Sequence, residues 1–271
     1  MDEITTQKEK KVPLWLIAVS ILLPTSFSAL ATSATNVAIP HISGYFAATD
    51  DEVKWVVTSY MIANACLIML SGWLESLLGR KTFLKVSISI FTLGAFICVA
   101  APSLNVMVFG RFIQGIGGGP MTPMAQTILL SAFPADKKGV AMSLFGLAVM
   151  VFAILGPSFG GFLVDNLSWQ YIYSVNIPIG IVSLLLINKY IADTPHESKQ
   201  QHIDFIGMTA LILWLMSMQI VLDKGQQYNW FDCEWIFWLS IFSLIALTFL
   251  IVWEGENKDS FIKLRLFKDR N

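Results

Sequence analysis

Residues Gly110–Pro123 read GRFIQGIGGGPMTP and lie inside one of the most apolar regions of the chain. This stretch places a charged Arg111, an amide at Gln114, several glycines and two prolines where a membrane helix would be expected to be apolar. A charged side chain at membrane depth is costly, and it normally faces the interior of a helix bundle or a cavity. The fold therefore depends on whether this stretch crosses a membrane.

The overall composition is that of an integral membrane protein. Of the 271 residues, 55% are hydrophobic and 14% are charged, and the mean hydropathy is +0.64. A soluble domain carries roughly 25% charged residues, so this chain has too few charges to cover a water-facing surface. Strict alternation of apolar and polar residues is missing, so an α-helical bundle is the structure expected to span the membrane. The three cysteines show no metal-ligand spacing, and we expect neither a metal nor a cofactor.

Eight stretches are long and apolar enough to cross a bilayer, which takes about 20 residues per helix. The first follows a lysine-rich start and runs past the length of a signal peptide to Pro40, so we expect an uncleaved anchor. The predicted spans are approximately 14–37, 54–74, 84–102, 105–130, 139–163, 169–191, 204–222 and 235–253.

The distribution of lysine and arginine predicts the orientation, because these residues are enriched in cytoplasmic loops. Both tails and the loops after the second, fourth and sixth predicted helices carry fifteen of them, against two in the alternate loops. We therefore predict a multi-pass protein of the inner (cytoplasmic) membrane with both termini in the cytoplasm. The fifteen are Lys8, Lys10, Lys11, Arg80, Lys81, Lys85, Lys137, Lys138, Lys189, Lys199, Lys258, Lys263, Arg265, Lys268 and Arg270, and the two are Lys54 and Lys224.

Arg111 lies about six residues into the fourth predicted helix, beside the glycine-rich turn that follows Gln114. Two readings are open: the side chain reaches outward to the interface, or it faces the bundle and bonds close backbone carbonyls. In the fifth helix, Gly156 and Gly160 form a small-xxx-small face that flanks Pro157. This pattern fits ordinary close packing as well as function.

Five motifs in order resemble the major facilitator superfamily, specifically its fourteen-helix drug–proton antiporter branch (EmrB/QacA type). The helices concerned are the first, second, fourth, fifth and sixth, and the resemblance extends over residues 14–271. The motifs are LATSATNVAIP, GWLESLLGRK, RFIQGIGGGP, GPSFGG and WQYIYSVNIPIG. The resemblance implies an all-α integral membrane fold in which the N-terminal six-helix half of a transporter is followed by two extra transmembrane helices.

The resemblance also implies roles for residues that match the family motifs. The segment Gly72, Gly79, Arg80 and Lys81 would gate the conformational change, and Arg111, Gln114 and Gly115 would belong to the proton-transfer motif. The antiporter motif would be Gly156, Pro157, Gly160 and Gly161, and Asn36 and Pro40 match the first-helix motif. We expect the proton and substrate pathway to be lined by Thr32, Asn36, Asn64, Arg111, Gln114 and Asn176.

Three departures from the family pattern bear on function. Ala31 stands where the first helix of the family usually has an aspartate, and Ser76 stands where the loop motif often has an acid, with Glu75 one place away. The sequence ends at LFKDRN, where the ninth helix of the family would begin. Because an arginine does not titrate, we expect any proton coupling to need a titrating group from elsewhere.

The expected organisation is a cytoplasmic tail (1–13), a six-helix half (14–191), a cytoplasmic linker (192–203), an extra helix pair (204–253) and a cytoplasmic tail (254–271) truncated before the ninth helix. The resemblance implies efflux of hydrophobic or amphipathic small molecules, including antibiotics, by proton antiport. It also implies a periplasmic membrane-fusion adaptor and an outer-membrane channel as partners, besides the lipid bilayer. The alternative is a non-transporting fragment or subunit of a split or interrupted exporter. The C-terminal half could come from a separate chain or a second copy, or be lost. We expect neither enzyme activity nor nucleic-acid binding.

Overall fold

The computed structural model describes residues 13–191 and 204–256, and within these ranges it contains helices and no strands. The predicted linker 192–203, nearly all of the N-terminal tail and residues 257–271 lie outside the described residues. The α-helices are α1 (Leu14–Phe46), α2 (Asp50–Val53), α3 (Trp55–Leu78), α4 (Arg80–Val99), α5 (Leu104–Ala132), α6 (Lys138–Asn166), α7 (Gln170–Ser174), α8 (Asn176–Tyr190), α9 (Phe205–Lys224) and α10 (Glu234–Glu256).

Seven helical segments of the described chain are long and apolar enough to cross a membrane. They correspond to α1, α2 with α3, α4, α6 with the turn before it, α7 with α8, α9, and α10. The remaining long helix, α5, has 29 residues, but Arg111, Gln114 and its glycines lower its hydropathy. Its position in the bundle, between α3 and α4, accounts for this composition, since its residues contact protein more than lipid.

The first helix is longer than the sequence analysis predicted. It continues through Pro24 and Pro40 to Phe46, rather than ending near residue 37. It stops where Ala47 adopts a left-handed conformation and its N–H bonds back to the last turn. A capping box then starts α2, because the Thr49 side chain accepts from the Glu52 N–H and the Glu52 carboxylate accepts from the Thr49 N–H. At the other end of the chain, α10 includes Glu254, which was assigned to the tail and is buried.

Glycines bring α5 against its two neighbours. A Cβ at Gly117 would lie 2.3 Å from the Phe91 nitrogen of α4, and one at Gly119 would lie 2.5 Å from the Asn64 carbonyl oxygen of α3. These distances are too short for any side chain, so the glycines of GIGGGP set the spacing of three helices. The arginine that precedes them is thereby enclosed by protein.

The helix pair α9–α10 packs on the outer side of α3. At one end, Leu70 packs with Met208 and Leu211. At the other end, the Thr58 hydroxyl donates to the Asp223 carboxylate, and Lys224 Nζ lies 5.3 Å from the centre of the Trp55 ring. The pair is therefore joined to α3 near both ends of that helix.

Candidate functional site

Arg111 lies inside the helix bundle and is 1% exposed. Its Nε donates to the Val56 carbonyl oxygen of α3 at 3.0 Å, and its Nη1 donates to Gln114 Oε1 at 2.7 Å. Charge-assisted hydrogen bonds of this kind are stronger than neutral ones. Of the two readings that the sequence leaves open, the structure thus has the side chain facing the bundle.

Two tyrosine rings enclose the guanidinium. Its Cζ lies 4.2 Å from the ring centre of Tyr60 on α3 and 5.7 Å from that of Tyr173 on α7. Both distances are within the range of a cation–π interaction, which strengthens when the cation is removed from water. The Tyr60 hydroxyl lies 3.3 Å from Ser28 Oγ, and the Tyr173 hydroxyl lies 3.2 Å from Thr35 Oγ1. Both of these partners belong to α1.

Two buried donors at the site have no hydrogen-bond partner among the described residues, Nη2 of Arg111 and Nε2 of Gln114. The buried Oδ1 of Asn176, another predicted pathway residue, likewise has no partner among them. Within the same part of the chain, Arg111 also forms no ion pair. The site is therefore a fixed positive charge with spare donors, and since arginine stays protonated, it can bind and orient a partner but cannot itself release a proton.

The six predicted pathway residues do not form one open surface. Arg111, Gln114 and Asn176 are buried, Thr32 and Asn64 are half-buried, and Asn36 is exposed. Arg111 bonds Gln114 and a backbone carbonyl of α3, and among the described residues it has no hydrogen bond to Thr32 or Asn36. The hydroxyls of α1 that reach the site are one turn away from Thr32, on the buried face of that helix. The role of the six residues in a pathway stays a prediction.

The predicted gating segment forms the junction between α3 and α4. Gly79 ends α3 with a φ of 76°, a conformation that favours glycine. Arg80 Nε donates to Glu75 Oε1 at 2.7 Å, and Arg80 Nη1 donates to Ser131 Oγ of α5 at 3.1 Å. Glu75 thus supplies a carboxylate partner beside the position where the family motif often has its acid. Lys81 lies in the first turn of α4.

Gly72 is exposed on α3. A Cβ there would meet nothing within 4 Å, so this glycine does not set a helix spacing among the described residues.

The antiporter motif joins α6 to α1. A Cβ at Gly156 would lie 2.6 Å from Ser33 Cβ, and one at Gly160 would lie 2.9 Å from the Ala34 carbonyl oxygen. Gly161 is different, since its nearest contact would be an ordinary 3.9 Å to Val37. Pro157 is exposed between the two packed glycines, and α6 continues through it.

Sequence reasoning missed the two tyrosines and the two α1 hydroxyls that bond them. A signal was present: Ser28 and Thr35 are seven residues apart, two turns on one face of a helix that also carries Thr32. Tyr60 and Tyr173 lie in apolar runs, where a tyrosine by itself is not diagnostic.

Comparisons with known proteins bear on the family and the fold of the chain. The family profile described as the Major Facilitator Superfamily matches residues 21–253. Among curated proteins, the probable multidrug resistance protein EmrY of Escherichia coli (strain K12) is 35% identical over 258 residues, which cover 95% of this chain and 50% of EmrY. The multidrug export protein EmrB of the same organism is 36% identical over 259 residues, with the same coverage. The chain thus spans about half the length of these relatives.

Among solved structures, that of the proton:xylose symporter XylE superposes with a TM-score of 0.60. The match covers 80% of this chain and 54% of that one at 15% identity, so it supports the fold alone.

Proposed function

This chain belongs to the Major Facilitator Superfamily, and from that membership we propose that it forms the N-terminal portion of a membrane efflux transporter for hydrophobic or amphipathic compounds. The similarity to multidrug exporters over 95% of the chain supports this proposal. The observation that carries it is the buried Arg111, which has a spare donor and no ion pair among the described residues, because a charge enclosed in a membrane bundle marks a functional pathway.

The proposed architecture has the six-helix half at residues 14–191 and the extra pair at 204–253, with both termini in the cytoplasm. Carriers of this kind move two halves around a site near the membrane midplane. Residues 1–271 correspond to about half the length of the relatives, so we propose that transport also involves the helices of the second half. A periplasmic adaptor and an outer-membrane channel are proposed partners of the complete exporter.

Proton antiport is the proposed mode of coupling, and its titrating group lies outside the buried site. An arginine side chain is not a proton donor or acceptor in such coupling. Ala31 offers no carboxylate. In this proposal Arg111 and Gln114 orient a partner, and the proton is bound by a group on the complementary helices.

Co-expression tests the proposed function. Residues 1–271 would be produced in a drug-sensitive strain alone, and also together with the last six helices of EmrB. We expect export, measured as dye efflux and drug resistance, only in the second case. Arg111→Gln should abolish it, while Gly161→Ala, at an uncrowded position of α6, should not.

The other results have definite meanings. Export by residues 1–271 alone, as a demonstrated monomer, would refute the requirement for a second half. Lack of export in both cases, with both chains present in the membrane, would favour the alternative of a non-transporting remnant.

A further inference from the structure

We propose that Tyr60 and Tyr173 are positioning residues that couple helix α1 to the guanidinium of Arg111. The inference rests on the proposed function in one respect: if the protein transports, a movement of α1 would shift the position of the buried charge. The contacts that carry the coupling are independent of any transport activity.

No hydrogen bond joins α1 directly to Arg111 in the described part of the chain. Two indirect connections take its place. Ser28 bonds the Tyr60 hydroxyl while the Tyr60 ring lies 4.2 Å from Arg111 Cζ. Thr35 bonds the Tyr173 hydroxyl while that ring lies 5.7 Å from the same carbon. Each tyrosine thus has its polar end on α1 and its ring against the cation.

The two connections hold α1 at two heights. Ser28 and Thr35 are separated by two helical turns, or about 10 Å along the axis. Because two attachment points constrain the tilt of a helix as well as its position, a rotation of α1 would move both rings. Tyr60 is further held by Asn64, whose Nδ2 donates to its hydroxyl at 3.4 Å.

One nitrogen of the Arg111 guanidinium is not held by a hydrogen bond among the described residues. Its Nε and Nη1 are fixed by the Val56 carbonyl and by Gln114, whereas Nη2 has no partner among the described residues. The two tyrosine rings therefore fix the orientation of Nη2. This arrangement requires tyrosine, since phenylalanine would supply the ring but would lose the connection to α1.

The test measures the protection of the Arg111 Nε–H from exchange with water. The whole chain would be labelled with ¹⁵N-arginine and placed in lipid nanodiscs. It contains four arginines, so the Arg111 signal can be assigned by its loss in Arg111→Lys. We expect Tyr60→Phe and Tyr173→Phe each to speed the exchange about threefold, and the double variant about tenfold. Tyr171→Phe is the matched control, since this tyrosine lies on α7 but is exposed, and it should leave the rate unchanged.

A second set of variants separates coupling from packing. Ser28→Ala removes the hydrogen bond to α1 but leaves Tyr60 and its bond from Asn64 in place, so it should speed the exchange by no more than Tyr60→Phe does. In the double variant, Ser28→Ala should add nothing to Tyr60→Phe, because Tyr60→Phe already removes the Ser28–Tyr60 hydrogen bond. Unchanged exchange in Ser28→Ala and Tyr60→Phe would overturn the proposal and leave the tyrosines as packing residues. Faster exchange in these variants, with no export in the co-expression experiment, would sustain the coupling and refute the proposed function.

Discussion

Ala31 lies on the buried face of α1 between Ser28 and Thr35, the two residues that bond the tyrosines around Arg111. It is 1% exposed, so a longer side chain there would enter the same enclosed region. The family resemblance places an aspartate at this position. With alanine at this position, Arg111 has no carboxylate partner among the described residues.

We predict that Ala31→Asp is tolerated only because of Arg111. In an Arg111→Met background the new carboxylate would be buried without a cation, which typically costs about 3–5 kcal/mol. The penalty should be smaller by about 2 kcal/mol or more when Arg111 is present, measured as the free energy of unfolding in detergent. Ala38→Asp, at another buried position of α1, should cost the same in both backgrounds. Equal penalties for Ala31→Asp in the two backgrounds would place residue 31 outside the site.

The same change should affect transport if the complementary helices are supplied. A carboxylate at residue 31 can bind and release a proton beside Arg111, whereas the alanine cannot. We therefore expect Ala31→Asp to make export by the co-expressed halves more strongly dependent on pH, measured as dye efflux at several external pH values. If Ala31→Asp left the pH dependence of export unchanged, a carboxylate at residue 31 would not take part in the coupling.

At the scale of helices, the contact between α1 and α6 depends on Gly156 and Gly160. Gly161, on the same helix, is not crowded by α1. Gly160 and Gly156 face the α1 backbone within 3.0 Å of a built Cβ, while Gly161 on the same helix has room. The antiporter motif is thus partly a packing device. Its neighbouring glycines offer a direct comparison.

We expect Gly160→Ala to separate α1 from α6 and to lower stability by about 1–3 kcal/mol, since overpacking forces a backbone shift. Gly161→Ala should cost little, because its Cβ would make an ordinary contact. Thermal unfolding of the two variants in the same detergent measures the difference. If the two variants melted at the same temperature, the tight contact at Gly160 would not be a feature of the protein in solution.

The attachment of α9 to α3 is the second element-scale feature. The Thr58 hydroxyl bonds Asp223, and Lys224 Nζ donates to the Asp51 carbonyl oxygen at 3.3 Å. These contacts join α9 to α3 and to the short helix α2 that precedes it, and so connect the extra pair to the six-helix half.

This attachment predicts a cross-link. In a Cys233→Ser background, Thr58→Cys with Asp223→Cys should form a disulfide on mild oxidation, because the two side chains are in direct contact. Thr58→Cys with Leu222→Cys is the control, since Leu222 is 53% exposed on α9. Gel mobility under non-reducing conditions measures the bond. Similar yields in both pairs would show that α9 is not held in this register.

For the whole molecule, the number of membrane crossings determines where the two ends lie. Seven described segments are apolar enough to span, and α5 is the eighth long helix although its hydropathy is lower. If α5 crosses the membrane, there are eight crossings and residues 1 and 271 lie on the same side of it. If α5 does not cross, there are seven and they lie on opposite sides. The charge distribution favours the former.

Reporter fusions decide between these topologies. A reporter after Asn271 should be active in the cytoplasm, and one inserted near Gln227 should report the opposite side. A cytoplasmic signal at Gln227, or an external one after Asn271, would contradict eight crossings with both ends inside. Arg111→Leu raises the hydropathy of α5 and serves as a control, because it should leave both signals in place.

By itself, the sequence determined the fold class and the helix positions to within several residues at most ends, and it singled out Gly110–Pro123. These follow from local properties: apolar runs of membrane length, charges in alternate loops and glycines at helical spacing. It also indicated Arg111 and Gln114 as candidate site residues, because a cation in an apolar run can be recognised from the sequence alone.

Only the tertiary structure decided what surrounds that cation. The partners of Arg111 come from α3, α5 and α7. The hydroxyls that bond its two tyrosines come from α1, and Thr35 is 138 residues from Tyr173 along the chain. Nothing in the sequence distinguishes any one of the four residues around Arg111, Tyr60, Tyr173, Ser28 and Thr35. They become a site because glycines on α5 and α6 let the helices approach, so that side chains distant in sequence meet around a charge that water cannot reach.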